Sequence, residues 1–103
     1  MNQYIAGDLV AVSATFTNAA NAAADPSVVT LKVGRKDSAP SVSTYTSGTL
    51  TGPYSITKTA TGAYTANIDT TGFAQAQWTY EWIGTGTVQT VNYGTFAITT
   101  PPL

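Results

Sequence analysis

Apolar and polar residues alternate with a period of two along most of this chain. From Leu9 to Thr17, Val10, Val12, Ala14 and Phe16 fall on one side and Ala11, Ser13 and Thr15 on the other. That is the signature of a half-buried strand, and it fixes the register, because a slip of one residue would turn the apolar set to water. Ser27 to Arg35 repeats the pattern, with Val29, Leu31 and Val33 inward and Thr30 and Lys32 outward. So does Ala63 to Asp69, through Tyr64, Ala66 and Ile68. The heaviest stretch is Gln77-Trp78-Thr79-Tyr80-Glu81-Trp82-Ile83. Extended, it sends Trp78, Tyr80 and Trp82 to one face and Thr79 and Glu81 to the other. A helix would scatter the rings. Each ring buries roughly 150–250 Å², so the three can cover the middle of a small domain. This stretch is predicted to be the central strand.

Weaker elements complete the pattern. Gln3 to Ala6 is a short first strand, followed by a turn at Gly7-Asp8. Ser41 to Thr46 and Tyr54 to Lys58 are minor strands, and Val88 to Thr99 is the last, with Phe96 and Ile98 inward. Ala19 to Ala24 has helical propensity but is too short to stand alone and stops at Asp25-Pro26, which predicts a loop with room for one helical turn. Ser47 to Pro53 is predicted to be the most mobile connection. Thr70 to Ala76 is a corner holding Phe73, and Gly84-Thr85-Gly86-Thr87 a hairpin loop with two glycines free to take positive φ. Gly94 marks a bulge or bend. Thr100 to Leu103 is an extended tail that its prolines keep out of a sheet.

About eight short strands separated by turn signals predict an all-β sandwich. Read in sequence as A, B, C, C′, D, E, F and G, they follow an immunoglobulin-like order. The aromatic strand is then F, between C and G. An up-and-down barrel is the alternative that strand number leaves open. The 103 residues fit one domain, 1–103.

Composition narrows function mainly by exclusion. The chain has no cysteine and no histidine. It therefore lacks thiolate ligands, disulfides and the usual general base. Charged residues are 9% of the chain and the net charge is −1, against about 25% charged residues in an average globular protein. Nucleic acid has no basic footprint to meet, and copies packed side by side repel one another little. No apolar run approaches the ~20 residues that span a bilayer. The N-terminal residues Met1-Asn2-Gln3-Tyr4 do not resemble a signal peptide. The expectation is a protein made in the cytoplasm and not secreted, with no nucleic-acid or membrane partner.

Candidate chemistry is sparse. The carboxylates are Asp8, Asp25, Asp37, Asp69 and Glu81. The four aspartates stand in turns, where such side chains bond nearby backbone, and Glu81 reads as a solvated strand residue. Asp8, Asp37 and Asp69 fall at one end of the sandwich, but without the Asp-x-Asp spacing of a calcium loop. Ser47-Gly48 and Gly84-Thr85-Gly86 do not join a strand to a helix, so they are not phosphate loops. Lys32, Arg35 and Lys36 are too few for a nucleic-acid patch, and Asp37 dilutes them. Sugar stacking on the aromatic row is weighed against burial, and strict alternation favours burial. No catalytic, cofactor-binding or metal-ligating residue and no cofactor is assigned.

Several segments together resemble a known group: Ala6-Gly7-Asp8-Leu9-Val10, Asp25-Pro26-Ser27-Val28-Val29-Thr30-Leu31-Lys32-Val33, Thr61-Gly62-Ala63-Tyr64-Thr65-Ala66-Asn67-Ile68-Asp69, and Trp78-Thr79-Tyr80-Glu81-Trp82-Ile83-Gly84-Thr85-Gly86. The chain resembles small Ig-like proteins of tailed bacteriophages and prophages. These are fold-level motifs without a catalytic residue. The resemblance implies a non-enzymatic structural virion protein, most simply a capsid decoration protein on the head. Its partners would be other virion proteins (the major capsid protein, or neck and tail proteins), with self-association as a further contact. The alternatives are a neck or tail accessory protein and a carbohydrate- or host-surface-binding module. One contact tests the strand order: Lys32 and Glu81 should be cross-strand neighbours on an outer face.

Overall fold

The computed structural model describes residues 2–35, 38–46, 48–86 and 88–100. Lys36 and Asp37 of the charged turn, Ser47, Thr87 and the tail residues Pro101 to Leu103 lie outside the described residues. The strands are β1 (Asn2–Ile5), β2 (Leu9–Thr15), β3 (Val28–Arg35), β4 (Ser41–Thr46), β5 (Thr49–Thr51), β6 (Ser55–Ala60), β7 (Ala63–Asp69), β8 (Ala76–Thr85) and β9 (Thr90–Thr99). They form a six-stranded sheet, β1-β9-β8-β3-β4-β5, and a three-stranded sheet, β2-β7-β6. Neither sheet closes on itself, so the fold is an immunoglobulin-like sandwich and not a barrel. All pairings are antiparallel except that of β1 with β9.

The aromatic strand β8 lies between β3 and β9, as the strand order requires, and Lys32 stands directly opposite Glu81. β5 is an addition. It occupies the segment expected to be the most mobile, pairing Thr49 to Thr51 with Thr46 to Thr44. The residues 18–24 hold no helical turn. Thr17 bridges Ala23, and Asn18 folds the loop by accepting at Oδ1 from the N–H groups of Ala20 and Ala22. Local side-chain bonding of this kind competes with helix.

The core joins both inner faces: Val10, Val12, Ala14 and Phe16; Val29, Leu31 and Val33; Tyr64, Ala66 and Ile68; Trp82, Phe96 and Ile98. Tyr54, Ile56 and Val88 complete it. The aromatic row is not equally deep. Trp82 is fully buried, whereas Trp78 and Tyr80 are half-buried and pack against the cluster. Trp78 sits near the start of β8, where Phe73 stacks on it at 4.1 Å and the Arg35 guanidinium lies 5.6 Å from its ring. Its Nε1 donates to the Ala74 carbonyl at 3.0 Å.

Two glycines serve purposes other than those expected. Gly94 makes no bulge: the β8–β9 ladder runs unbroken from Ala76↔Ile98 to Gly84↔Thr90. It is paired with Tyr80, whose ring covers it so closely that a Cβ there would meet the phenol oxygen at 2.4 Å. Gly84 is a strand residue with Pro26 and Phe16 packed on it, and only Gly86 of the pair takes positive φ, at 94°.

Candidate interaction face

The outer face of the six-stranded sheet carries the side chains that the core does not use. Inward Trp82 fixes the parity of β8, so Thr79, Glu81 and Ile83 point out. The ladders then set their neighbours. Val42, Lys32, Glu81 and Tyr93 form one row across β4, β3, β8 and β9. Thr44, Thr30, Ile83 and Val91 form the next. Tyr93 is 77% exposed, Val91 55% and Val42 43%. Ile5 of β1 points from the same face and is also exposed. Lys32 and Glu81, both half-buried, put one charge of each sign at the centre of the first row. Beside them is an open depression of about 560 Å³, lined by Lys32, Gly34, Pro40, Gln77, Thr79 and Glu81 among others. Pro40 packs so tightly on Gly34 that a Cβ there would lie 2.9 Å from its Cα. The result is a surface of aliphatic side chains, threonines and one exposed phenol, with Lys32, Arg35 and Glu81 around the depression. Its exposed apolar side chains offer area that a contact could bury.

Several of the other polar residues hold the fold. Asp8 Oδ2 accepts from the Ile5 N–H at 3.0 Å, and Asp69 Oδ1 accepts from the Thr71 N–H at 3.0 Å, so both do the turn work expected. The Asp69 carboxyl titrates below the usual carboxylate range because of that bond. Asp25 departs from expectation. Its partners are distant in sequence: Lys58 Nζ at 2.6 Å, the Gly62 N–H at 2.8 Å and the Tyr64 hydroxyl at 3.2 Å, all donating to it. The Lys58 hydrogen bond and then the Gly62 N–H hold its carboxyl below the ordinary value. Burial, followed by the Asp25 charge, pushes the Tyr64 phenol up to about 12. Asp25 thus ties the β2–β3 loop to the β6–β7 hairpin. Gly62 must be glycine there, since φ is 71° and a Cβ would lie 2.5 Å from the Phe16 carbonyl oxygen. Thr70, buried at the corner after β7, donates to the Asp8 carbonyl at 2.5 Å and accepts from the Gly7 N–H at 3.0 Å.

Asp8 and Asp69 do share one end of the sandwich, while Asp37 lies outside the described residues. Among the described residues no three His, Cys, Asp or Glu side chains are grouped as metal ligands. Glu81 is less solvated than expected, sitting half-buried between Lys32 and Tyr93. Tyr93 and Val91 are the residues that the reading for chemistry passed over. Their signal was present as parity: with Phe96 and Ile98 inward, 91 and 93 must face out.

No family model matches the chain, and no curated protein matches it. Among solved structures, the extracellular portion of mouse CD200RLa is similar over 97% of this chain, with a TM-score of 0.55 and 7% identity. This chain spans about half (54%) of that structure. At that identity the likeness concerns the immunoglobulin-like fold alone.

Proposed function

We propose that the chain is a non-enzymatic assembly module that docks on another protein through the outer face of its six-stranded sheet. In its most specific form, it is a structural virion protein of a tailed phage that decorates the head and contacts the major capsid protein. The observation that carries the reading is the Val42–Lys32–Glu81–Tyr93 row with Val91 and Ile83 beside it. Apolar side chains gathered on one regular face, rimmed by threonine, are what a protein contact buries. A tyrosine supplies much contact area at low entropic cost. The low net charge lets many copies lie close together on a lattice. The phage assignment rests on the resemblance of the four quoted segments. A sugar-binding role is less well supported, because Tyr93 stands among aliphatic and charged neighbours and, among the described residues, no second exposed ring shares its face.

The test uses particles produced by the genome that encodes the chain. Quantitative mass spectrometry and imaging of purified particles should find the protein in many copies on the head. A single ring of copies at the neck or tail would select the accessory role, and absence from particles would refute a virion role. Tyr93→Lys should leave the melting temperature nearly unchanged, since exposed positions usually matter by less than about 0.5 kcal/mol. The same change should abolish incorporation. Normal incorporation of this variant would move the docking surface elsewhere.

A further inference from the structure

The three-stranded sheet ends at β2, and this edge differs from every other edge of the sandwich. An open edge offers unpaired N–H and C=O groups to any passing strand, and proteins usually blunt it with shortness, charge, proline or a bulge. β1 has 4 residues and β5 has 3. β5 is also followed at once by Gly52-Pro53. β6 carries Lys58 and a register break between Lys58 and Ala60. β2 has none of these devices. Its 7 residues, Leu-Val-Ala-Val-Ser-Ala-Thr, contain no charge, proline or glycine. Its ladder with β7 is unbroken from Leu9↔Asp69 to Thr15↔Ala63. Leu9, at 65% exposure, is the most exposed large aliphatic side chain among the described residues.

We propose that β2 is a homodimer edge: two copies pair β2 to β2 antiparallel across a two-fold axis, joining their three-stranded sheets into one. The strand is its own complement. Residues directly opposite in an antiparallel pair share a face of the sheet. Inner residues Val10, Val12 and Ala14 must therefore meet inner ones, and outer Leu9, Ala11, Ser13 and Thr15 must meet outer ones. Among registers that satisfy this, the one centred on Val12 uses the whole strand. It pairs Leu9 with Thr15, Val10 with Ala14 and Ala11 with Ser13 of the other copy. No charge within β2 opposes the approach, and the two-fold places the Asp8 of each copy at opposite ends of the seam. The pairing consumes both edges, so it stops at two and does not propagate as an open fibre would. It leaves the proposed docking face free, and the two inferences stand independently.

The test is the mass of the full chain in solution, by sedimentation and light scattering over a wide concentration range. The native chain should show a concentration-dependent dimer. Ala11 and Ser13 are exposed, and their side chains point away from the core, so charges there should not disturb the fold. In the proposed register they face each other across the axis. The double variant A11K/S13K sets lysine against lysine and should raise the dimer dissociation constant roughly tenfold or more. A11K/S13E sets lysine against glutamate at the same positions and should dimerise within about threefold of native. Circular dichroism and melting confirm that both are folded. A native chain that stays monomeric throughout overturns the proposal, as does equal association of the two variants. A dimer that survives A11K/S13K but is lost in Tyr93→Lys also overturns it, and assigns association to the other face.

Discussion

Trp82→Ala measures how much of this fold hangs on one ring. Trp82 is fully inaccessible and is paired with Leu31 on one side and Asn92 on the other. Truncating a buried Trp to Ala costs about 3–5 kcal/mol, through lost transfer energy and the void left behind. A small domain has about 5–15 kcal/mol in all. The alanine variant should therefore be marginal or unfolded at room temperature. Trp82→Phe separates the two contributions of the indole. The Trp82 Nε1–H finds no acceptor among the described residues. A stranded buried donor costs about 1–3 kcal/mol, so removing it offsets part of the smaller void that phenylalanine leaves. We expect Trp82→Phe to lose less than about 2 kcal/mol, clearly short of the alanine loss. Urea unfolding reads both, followed by Trp78 fluorescence and by far-ultraviolet circular dichroism, with equal slopes required for a valid comparison. Equal losses for the two variants would show that the void is not what governs the cost. A Trp82→Ala protein that melts like native would show the ring to be dispensable and reopen the sugar-stacking reading of the aromatic row.

Gly94→Ala forces the Tyr80 ring off its neighbour and should cost about 1–3 kcal/mol by thermal melting, as overpacking does; an unchanged melting temperature would show that Tyr80 has an alternative position at no cost. Asp25→Asn tests the loop tie. The folded carboxyl titrates below its ordinary 3.8, so the stabilisation it gives is present above that value and fades as pH falls through the lower folded value. The stability gap between native and Asp25→Asn should accordingly narrow below about pH 4, and a gap that stays constant down to pH 2 would deny the carboxylate its role. Tyr64 has the opposite sign: raised to about 12, it favours the fold below its unfolded value near 10 and loses that contribution as pH rises toward 12. Absorbance titration should show its phenol ionising late, and the delay should shrink in Asp25→Asn.

Period-two alternation made the sandwich legible, because burial on one sheet face is a local property of each strand. Val10 to Phe16, Val29 to Val33 and Tyr64 to Ile68 all lie inward as their spacing requires. The Lys32–Glu81 pairing was legible too, since each is the sole charge in the body of its strand. What the spacing could not carry was depth. Trp78 and Tyr80 share the parity of Trp82, yet how far each is covered depends on Phe73, Arg35 and Gly94, which come from other segments. Asp25 failed for the same reason. Its turn position suggested local backbone partners, whereas the fold brings Lys58, Gly62 and Tyr64 to it. The proposed docking face was readable only as the complement of the core, and no motif pointed to Tyr93.

A sheet so poor in charge must hold its register by shape, and the glycines opposite large rings show how. A slip of β9 by one residue against β8 would bring Tyr93 or Thr95 beneath the Tyr80 ring in place of Gly94 and turn Phe96 and Ile98 to water. A slip by two would restore parity but set Asn92 or Phe96 against a ring that fits only a bare Cα. Gly84, under Pro26 and Phe16, imposes the same condition farther along β8. These contacts lie inside the sandwich and specify one pairing by shape. The outer face carries less of that duty. Threonine, valine and tyrosine can stand there at little cost to register, and the same economy leaves β2 without the lysine that would otherwise guard its edge. Face and edge are thus left open for related reasons, since the contacts that set the pairing are steric and internal.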